Sequence, residues 1–345
     1  MKVKVIIVLF LFASTAWLFI GAVDNGPDPY KPKYIKLDVP KGWPKPAKDI
    51  FKDNPLTEQG FQLGKKLFYD GRLSKDGNFA CASCHQQFAA FATYDHDFSH
   101  GFKDQFTTRN APGIFNLAWT PLLHWDGGIN HIEVQPLAPL TAPNEMAENI
   151  DSVLKKLRKD TAYPKLFKAA FGSNLINSQR MLKALAQFTG SIVSYSSKYD
   201  KVQRGEAFFT PAEQKGYDFF KIKCAGCHTE PLFTDNSFRN NGMAINPQLK
   251  DFGRMRITTD KNDSLKFKVP SLRNITLTFP YMHDGRFYSI GQAIDHYRTG
   301  IVTTQPTLDT ALKNRIAINN AEKNNLIYFL YTLTDTTLAK SNRYR

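Results

Sequence analysis

The sequence is poor in cysteine, with four residues among 345, at Cys81, Cys84, Cys224 and Cys227. They form two pairs of identical spacing, so no thiol is spare and a small disulfide-stapled fold is excluded. The chain is 42% hydrophobic and 22% charged, which is too apolar for a disordered protein, and its length suits roughly two domains. A mean hydropathy of −0.37 excludes a polytopic membrane protein.

A compact basic motif is also missing, although the formal net charge is +14. The 45 lysines and arginines are scattered along the chain, which is typical of a solvated surface, so no nucleic-acid partner is predicted. A basic face would instead steer an acidic redox partner toward the protein.

Long apolar runs are absent except near the start. Residues 5–23 carry no charge and follow two lysines, a pattern typical of an export signal. The run just reaches the ~18 residues that span a bilayer, so the alternative is an uncleaved anchor, and membrane attachment is expected only through residues 1–23. Residues 24–50 are rich in proline and are predicted to form an extended leader, lying on the surface or linking to an anchor.

No series of alternating strands is visible, whereas helical spacing of apolar residues recurs. Thr57 and Thr210 are predicted helix caps, the second followed by Pro211 in the first turn. The pattern predicts a mostly α fold with long loops punctuated by glycine and proline. Helices are expected from Thr57 up to Asp70, from Thr210 to the second cysteine pair, and over 149–158, 163–171, 179–199 and 321–333.

The chain repeats itself beyond the two cysteine pairs. When Ala111-Pro112 is aligned with Val269-Pro270, other identities follow without a gap: Asn116 with Asn274, Asp126-Gly127 with Asp284-Gly285, and Ile132 with Ile290. This predicts two similarly folded halves, residues 51–203 and 204–345, related by an approximate twofold arrangement. The alternative is chance similarity around common proline and glycine turns.

Each cysteine pair has the spacing Cys-x-x-Cys-His, the attachment signature of haem c. Two thiols one helical turn apart add to the two vinyl groups, and His85 or His228 is then held beneath the iron as an axial ligand. A zinc site and two disulfides are the alternatives, but they leave both histidines unexplained, and zinc pairs are usually only ~15–20 residues apart. Two covalently bound haem c groups are therefore expected.

The repeat predicts that the two haem irons differ in their sixth, distal ligand. Continuing the alignment places Pro139 opposite Tyr297. Proline has no side-chain ligand, whereas a tyrosine phenolate binds iron. If this segment crosses the distal face of each haem, the first haem is open or weakly closed and the second is capped by Tyr297, with the neighbouring His296 as the alternative ligand.

These residues resemble the bacterial dihaem cytochrome c peroxidases and their MauG-type relatives, from about residue 50 to 335. The matching stretches are residues 99–101, 108–112, 125–127, 135–146, 269–274 and 280–285. The resemblance implies two cytochrome c-like haem domains, in which His85 anchors the peroxide-reacting haem and His228 the electron-transfer haem.

The resemblance also implies roles for three residues around the first haem. Trp125 would relay an electron or hole between the haems, and Gln135 and Glu145 would form the distal pair above the open iron. Splitting peroxide needs a group that takes a proton from one oxygen and delivers it to the leaving hydroxide, which a carboxylate in an apolar pocket can do.

Further positions match ligands of the family. Asn110, Thr278 and Pro280 resemble residues that hold a calcium ion between the domains, a hard cation that prefers oxygen ligands. His100 resembles the removable distal histidine of the peroxidases, with His96 as a nearby competitor. Such a histidine requires a loop to move before peroxide binds.

One position departs from the classical peroxidases, which have methionine where this chain has Tyr297. A neutral thioether raises the haem potential, whereas an anionic phenolate should lower it, so this feature is MauG-like. Met243 and Met282 are the methionines available near the second haem motif in sequence, but neither stands at the expected position.

Taken together, the sequence predicts an exported, periplasmic enzyme that reduces hydrogen peroxide to water with electrons from a small cytochrome c or cupredoxin. The alternatives are a MauG-type oxidase that modifies another protein and a non-enzymatic dihaem electron carrier. The sequence leaves a homodimer open.

Overall fold

The computed structural model describes residues 30–345. The predicted export segment, residues 1–23, lies outside the described residues, as does the start of the leader. From residue 30 onward, no helix is long and apolar enough to cross a membrane.

The described chain is mostly helical, as predicted, and carries one two-stranded sheet. Strands β1 (Phe238–Arg239) and β2 (Phe267–Lys268) pair antiparallel, with Phe238 opposite Lys268. Short 3₁₀ turns connect many of the elements. The helices are α1 (Glu58–Phe68), α2 (Cys81–Cys84), α3 (Leu137–Thr141), α4 (Ile150–Lys159), α5 (Tyr163–Phe171), α6 (Ser178–Gly190), α7 (Lys198–Gln203), α8 (Pro211–Lys223), α9 (Met255–Thr258), α10 (Ile290–Asp295), α11 (Asn320–Tyr331) and α12 (Thr336–Lys340).

The helix starts follow from local capping chemistry. The Thr57 hydroxyl accepts a hydrogen bond from the Gly60 backbone N–H at the start of α1. At the start of α8, Thr210 and Glu213 cap each other's backbone N–H groups. Both predicted starts are therefore confirmed.

The helix expected over 179–199 was predicted too long, because α6 ends at Gly190. Beyond it the backbone pairs with a distant loop instead of with itself. The Asn116 N–H donates to Ile192 O, and the Ser194 N–H donates to the Asn116 carboxamide oxygen, both at 2.8 Å. These long-range bonds satisfy backbone groups that a continued helix would have used internally.

The first hydrophobic core forms where α1 packs against α6. Gly64 makes the close approach possible, because a Cβ at this position would lie 1.9 Å from the Ala184 carbonyl oxygen. Phe61, Phe68 and Phe188 pack around this contact and are fully buried.

The second core repeats this construction where α8 packs against α11. A Cβ at Gly216 would lie 2.0 Å from the Asn325 carbonyl oxygen, so this glycine also allows backbone contact. Phe220, Phe233 and Phe329 are fully buried beside it.

Two loops, one in each part of the chain, share their backbone geometry. Asn116 and Asn274 both adopt the left-handed conformation, with φ of 55° and 59°. A hydrogen bond of 2.7 Å then closes a turn in each loop, from Leu123 N to Ile129 O and from Tyr281 N to Phe287 O.

The leader packs against the first of these loops. The Trp43 ring meets the Trp119 ring edge-on at 5.1 Å, and the Trp119 indole N–H donates to Pro44 O at 2.8 Å. Ile50 inserts into the hydrophobic clusters beneath the leader. This segment is therefore a fixed part of the described fold.

Candidate active site

The first Cys-x-x-Cys-His motif forms the single turn of α2, which brings both thiols to one side. The His85 N–H donates to Cys81 O at 2.9 Å, and the imidazole Nδ1–H donates to Phe91 O at 2.8 Å. That bond fixes the tautomer with Nε2 unprotonated, the form that ligates a metal. Burial lowers the pKa of His85, which also favours the neutral ring.

The second motif has the same arrangement at the end of α8. The His228 N–H donates to Cys224 O at 3.0 Å, and its Nδ1–H donates to Phe233 O at 3.1 Å. Burial lowers the pKa of His228 as well. Both histidines thus present a neutral Nε2 beside two thiols, which fits covalent attachment of haem c at each motif.

The alternatives to haem find no support in the geometry. All four cysteines are free thiols within the part of the chain that the structure describes. In residues 30–345 no group of three or more His, Cys, Asp or Glu side chains is arranged to hold a metal ion. A zinc site would need such a group.

Glu145 lies beside the first motif. Burial raises the pKa of the Cys84 thiol, a hydrogen bond with Ser99 lowers it, and the nearby Glu145 carboxylate raises it again. Burial raises the pKa of Glu145 itself. The Phe102 N–H donates to Glu145 O at 2.7 Å, which joins the 95–106 loop to this residue.

Gln135 contacts a residue that the sequence analysis missed, His124. The Gln135 Nε2 and His124 Nε2 atoms lie 3.4 Å apart. Burial lowers the pKa of His124; Asp126 opposes this shift, and Lys268 and Arg109 add to it. His124 stands directly before the Trp125-Asp126-Gly127 stretch, but a single histidine in a loop carries no sequence signal of its own.

Trp125 is bonded to both parts of the chain. Its indole N–H donates to Asn110 O at 2.9 Å, and its carbonyl oxygen accepts from the Lys268 N–H at 2.7 Å. Asn110 in turn donates its backbone N–H to His283 O at 2.8 Å. The tryptophan is therefore fixed by backbone contacts from both sides.

A second residue that the sequence analysis did not assign, Arg109, joins the same region. Its guanidinium contacts the carboxylates of Asp126 at 2.5 Å and Asp251 at 2.6 Å. Burial opposes ionisation of Asp251, but the Arg109 bonds hold its pKa below the usual value. The arginine lies in the 108–112 stretch that matches the family, but the match alone assigns it no role.

Tyr297 lies in a π-helical turn, His296–Gly300, that continues α10. Such turns are common at functional sites. Burial raises the pKa of Tyr297, a hydrogen bond with Asn241 lowers it, and the sulfur atoms of Cys227 and Cys224 raise it, which places the phenol near the second motif. His296 is turned to Asn241 O, to which its Nε2–H donates at 2.9 Å.

The remaining predicted residues lie in loops. His100 is exposed, and its ring packs against the Phe106 ring at 4.6 Å and the His96 ring at 5.6 Å. Asn110 is buried, and its carboxamide donates to the backbone oxygens of residues 96 and 97. Thr278 is half-buried and Pro280 is buried in the 269–290 loop.

The mostly helical fold and the two His-bearing motifs define a c-type cytochrome with two haem attachment sites. Residues 58–208 match the family described as Di-haem cytochrome c peroxidase. The methylamine utilization protein MauG of Methylorubrum extorquens is 35% identical over 298 residues, covering 82% of this chain and 80% of that protein. The cytochrome c551 peroxidase of Nitrosomonas europaea is 33% identical over 293 residues, covering 84% of each.

A solved structure is similar as well. The crystal structure of a MauG-like protein associated with microbial copper homeostasis superposes with a TM-score of 0.82 at 33% identity, covering 90% of this chain and 99% of that one. The chain belongs to the di-haem cytochrome c peroxidase family. Its cofactors are accordingly two haem c groups, as predicted from the motifs.

Proposed function

We propose that this protein is a periplasmic peroxidase that reduces hydrogen peroxide to water, taking electrons from a small cytochrome c or cupredoxin. The observation that carries the proposal is a half-buried carboxyl group, Glu145, that lies beside the first haem motif and has no ion-pair partner within residues 30–345. The carboxylates beside the second motif, Asp235 and Asp309, are instead both paired with Arg239. The haem groups supply the redox chemistry when bound.

Glu145 is the proposed proton carrier. Burial raises its pKa, which brings proton uptake and release closer to neutral pH, where general acid–base catalysis is efficient. Gln135 would orient the substrate through its carboxamide oxygen, and the His124 Nε2 atom would position the carboxamide by contacting its nitrogen. Trp125 is the proposed relay between the two haem sites, because it contacts backbone from both halves.

The two haem-bearing parts are proposed to be 51–203 and 204–345, related by a pseudo-twofold axis. A reciprocal pair of backbone hydrogen bonds supports this: Asn110 N donates to His283 O, and Lys268 N donates to Trp125 O. Under the repeat alignment, Asn110 corresponds to Lys268 and Trp125 to His283. An exchange in which each half makes the same contact to the other is the signature of a twofold relation.

The ligands that close the haem irons are part of the same proposal. Tyr297 is the proposed sixth ligand of the His228 haem, supported by its position near Cys224 and Cys227. His100 is the proposed removable ligand of the His85 haem, at the exposed end of the loop that bonds to Glu145 O. Calcium is proposed at Asn110, Thr278 and Pro280, with the last two acting through carbonyl oxygens.

Peroxide turnover with reduced cytochrome c tests the function. We expect Glu145→Gln to keep both haems but to lose at least about 100-fold in kcat, because the amide cannot carry the proton. Glu206→Gln, which changes an exposed carboxyl group outside the site, is the matched control and should turn over normally. Normal turnover in Glu145→Gln would remove the proposed acid–base role.

A second candidate function is oxidation of residues on another protein, which the resemblance to the MauG-type relatives implies. The tyrosine at position 297 favours it, because phenolate ligation stabilises oxidised iron. Low-temperature EPR of the ferric protein and of Tyr297→Phe tests whether Tyr297 ligates the iron of the His228 haem. Identical spectra for the two proteins would exclude Tyr297 as that ligand. Product analysis on candidate protein substrates separates the two functions.

A further inference from the structure

An open cleft on the C-terminal half is unused by the proposed function. It has a volume of ≈ 440 Å³ and is bordered by Thr276, Phe279, Tyr281, Tyr288, Tyr331 and Thr334. Tyr288 and Tyr331 are 51% and 54% exposed. Exposed aromatic groups around a hollow of this size are typical of a binding surface.

In the N-terminal half, the matching positions are covered by the leader. The repeat alignment pairs Thr276 with Ala118, Tyr281 with Leu123 and Ile290 with Ile132. The two helix crossings extend the alignment, because the contact of Gly216 with Asn325 matches the contact of Gly64 with Ala184. Tyr331 then corresponds to Gly190, and Thr334 corresponds to Val193. Ile50 packs into the clusters formed by these N-terminal residues. A Cβ at Gly190 would lie 2.7 Å from the Ile50 Cδ1 atom.

Polar contacts hold the leader in that place. The Ala47 N–H donates to Ala118 O at 3.0 Å, and the Lys48 ammonium donates to Asn130 O at 2.8 Å. The corresponding acceptors beside the open cleft are the backbone oxygens of Thr276 and Tyr288. Within residues 30–345, neither of these oxygens accepts a hydrogen bond.

The charge at one end of the cleft favours a cationic partner. Burial raises the pKa of Tyr288, and the nearby carboxylates of Asp97 and Asp95 raise it further. The loop that carries Tyr288 packs against Asp97, because a Cβ at Gly285 would lie 2.5 Å from the Asp97 Cα. A lysine placed like Lys48 would therefore meet a free carbonyl oxygen at the end of the cleft where Asp97 supplies negative charge.

We propose that the cleft binds a peptide segment of a partner protein, with an apolar anchor residue and a lysine or arginine two positions before it. This rests on the proposed repeat, because the leader residues Lys48 and Ile50 are the template for the bound segment. A row of aromatic rings, Phe88, Tyr94 and Phe279, connects the cleft to the first haem motif, with centroid distances of 5.3 and 4.8 Å. The bound partner would thus be connected through these rings to the segment that follows the first haem motif.

Binding of a leader peptide to the full-length holoprotein tests the proposal. The probe is a fluorescent synthetic peptide with the sequence of residues 43–52, and saturable binding measured by anisotropy is expected. Tyr331→Ala should weaken binding at least about fivefold, because large aromatic residues dominate such contacts. Tyr328→Ala removes an equally exposed tyrosine of α11 that does not border the cleft, so it should leave binding unchanged.

A photo-reactive group at the Ile50 position of the peptide identifies the site. Cross-links are expected to residues 276–290 and 331–334. Absence of saturable binding, equal loss in both tyrosine variants, or cross-links to 118–132 would overturn the proposal. If the protein is a dimer in solution and Tyr331→Ala makes it monomeric, the cleft binds a second copy of the chain and the proposal is overturned. Peroxide turnover, measured in parallel and expected to be unchanged in Tyr328→Ala, keeps a failure here separate from a failure of the proposed function.

Discussion

At the scale of single residues, the site combines side chains that the sequence could indicate with others that it could not. The cysteine motifs are local, because one helical turn brings Cys81, Cys84 and His85 together. Gln135 and Glu145 were found only through the resemblance to a family. His124 was missed because its contact with Gln135 depends on the fold of a loop.

We expect His124→Ala to lower kcat for peroxide about tenfold to 100-fold, because Gln135 would lose the group that orients it. Gln135→Ala should show a loss of similar size, and the double variant should be little worse than either single one. Steady-state kinetics at equal haem content measure this cycle. Exposed His131→Ala is the control, and fully additive losses in the cycle would contradict a positioning role.

At the scale of elements, local signals specified the starts of helices better than their ends. Thr57 and Thr210 cap α1 and α8 through side chains a few residues away, which a sequence displays directly. The end of α6 depends on Asn116, which lies 74 residues before Gly190 in the chain. The insertion of Ile50 depends equally on distant residues, so the sequence predicted only that the leader lies on the surface or links to an anchor.

The glycines at the two helix crossings give an element-scale prediction. Gly64→Ala and Gly216→Ala should each destabilise the protein by about 1–3 kcal/mol or more, because the new Cβ would overlap a backbone oxygen that cannot move alone. Chemical denaturation measures the effect.

Gly291→Ala in α10 is the matched control, since its Cβ would make ordinary contacts with the end of the Lys323 side chain at 3.5 Å and the Ser289 Oγ atom at 3.8 Å. Alanine is the better helix former, so this variant should be neutral or stabilised by up to about 1 kcal/mol. Equal destabilisation in all three variants would show that the crossings are not specially tight.

At the scale of the whole molecule, a buried ion pair links the end of the first proposed half to the second. The fully buried Arg273 guanidinium donates to both Asp200 carboxylate oxygens at 2.8 and 2.9 Å. Burial opposes ionisation of Asp200, but the Arg273 bonds and then Ser197 hold its pKa below the usual value. Folding therefore gains stability from this carboxylate above its unfolded pKa, and the gain disappears as the pH falls through the lower folded pKa.

We expect Asp200→Asn to lose about 3–5 kcal/mol of unfolding free energy at pH 7, because it leaves a buried arginine unpaired. The difference from the unmodified protein should shrink as the pH falls below about 3.9. Denaturation curves across this range measure it. Asp218→Asn removes a fully exposed carboxylate of a surface ion pair and should change little at any pH. A pH-independent difference for Asp200→Asn would contradict the argument.

The reciprocal bonds between Asn110 and His283 and between Lys268 and Trp125 limit how the protein can be divided. Each proposed half supplies a backbone donor that the other half needs. A single-haem protein made by ending the chain at residue 203 would lose the Lys268 N–H, which donates to the Trp125 carbonyl oxygen. Engineers who want a one-centre electron shuttle from this scaffold should inactivate one attachment motif and keep the polypeptide whole.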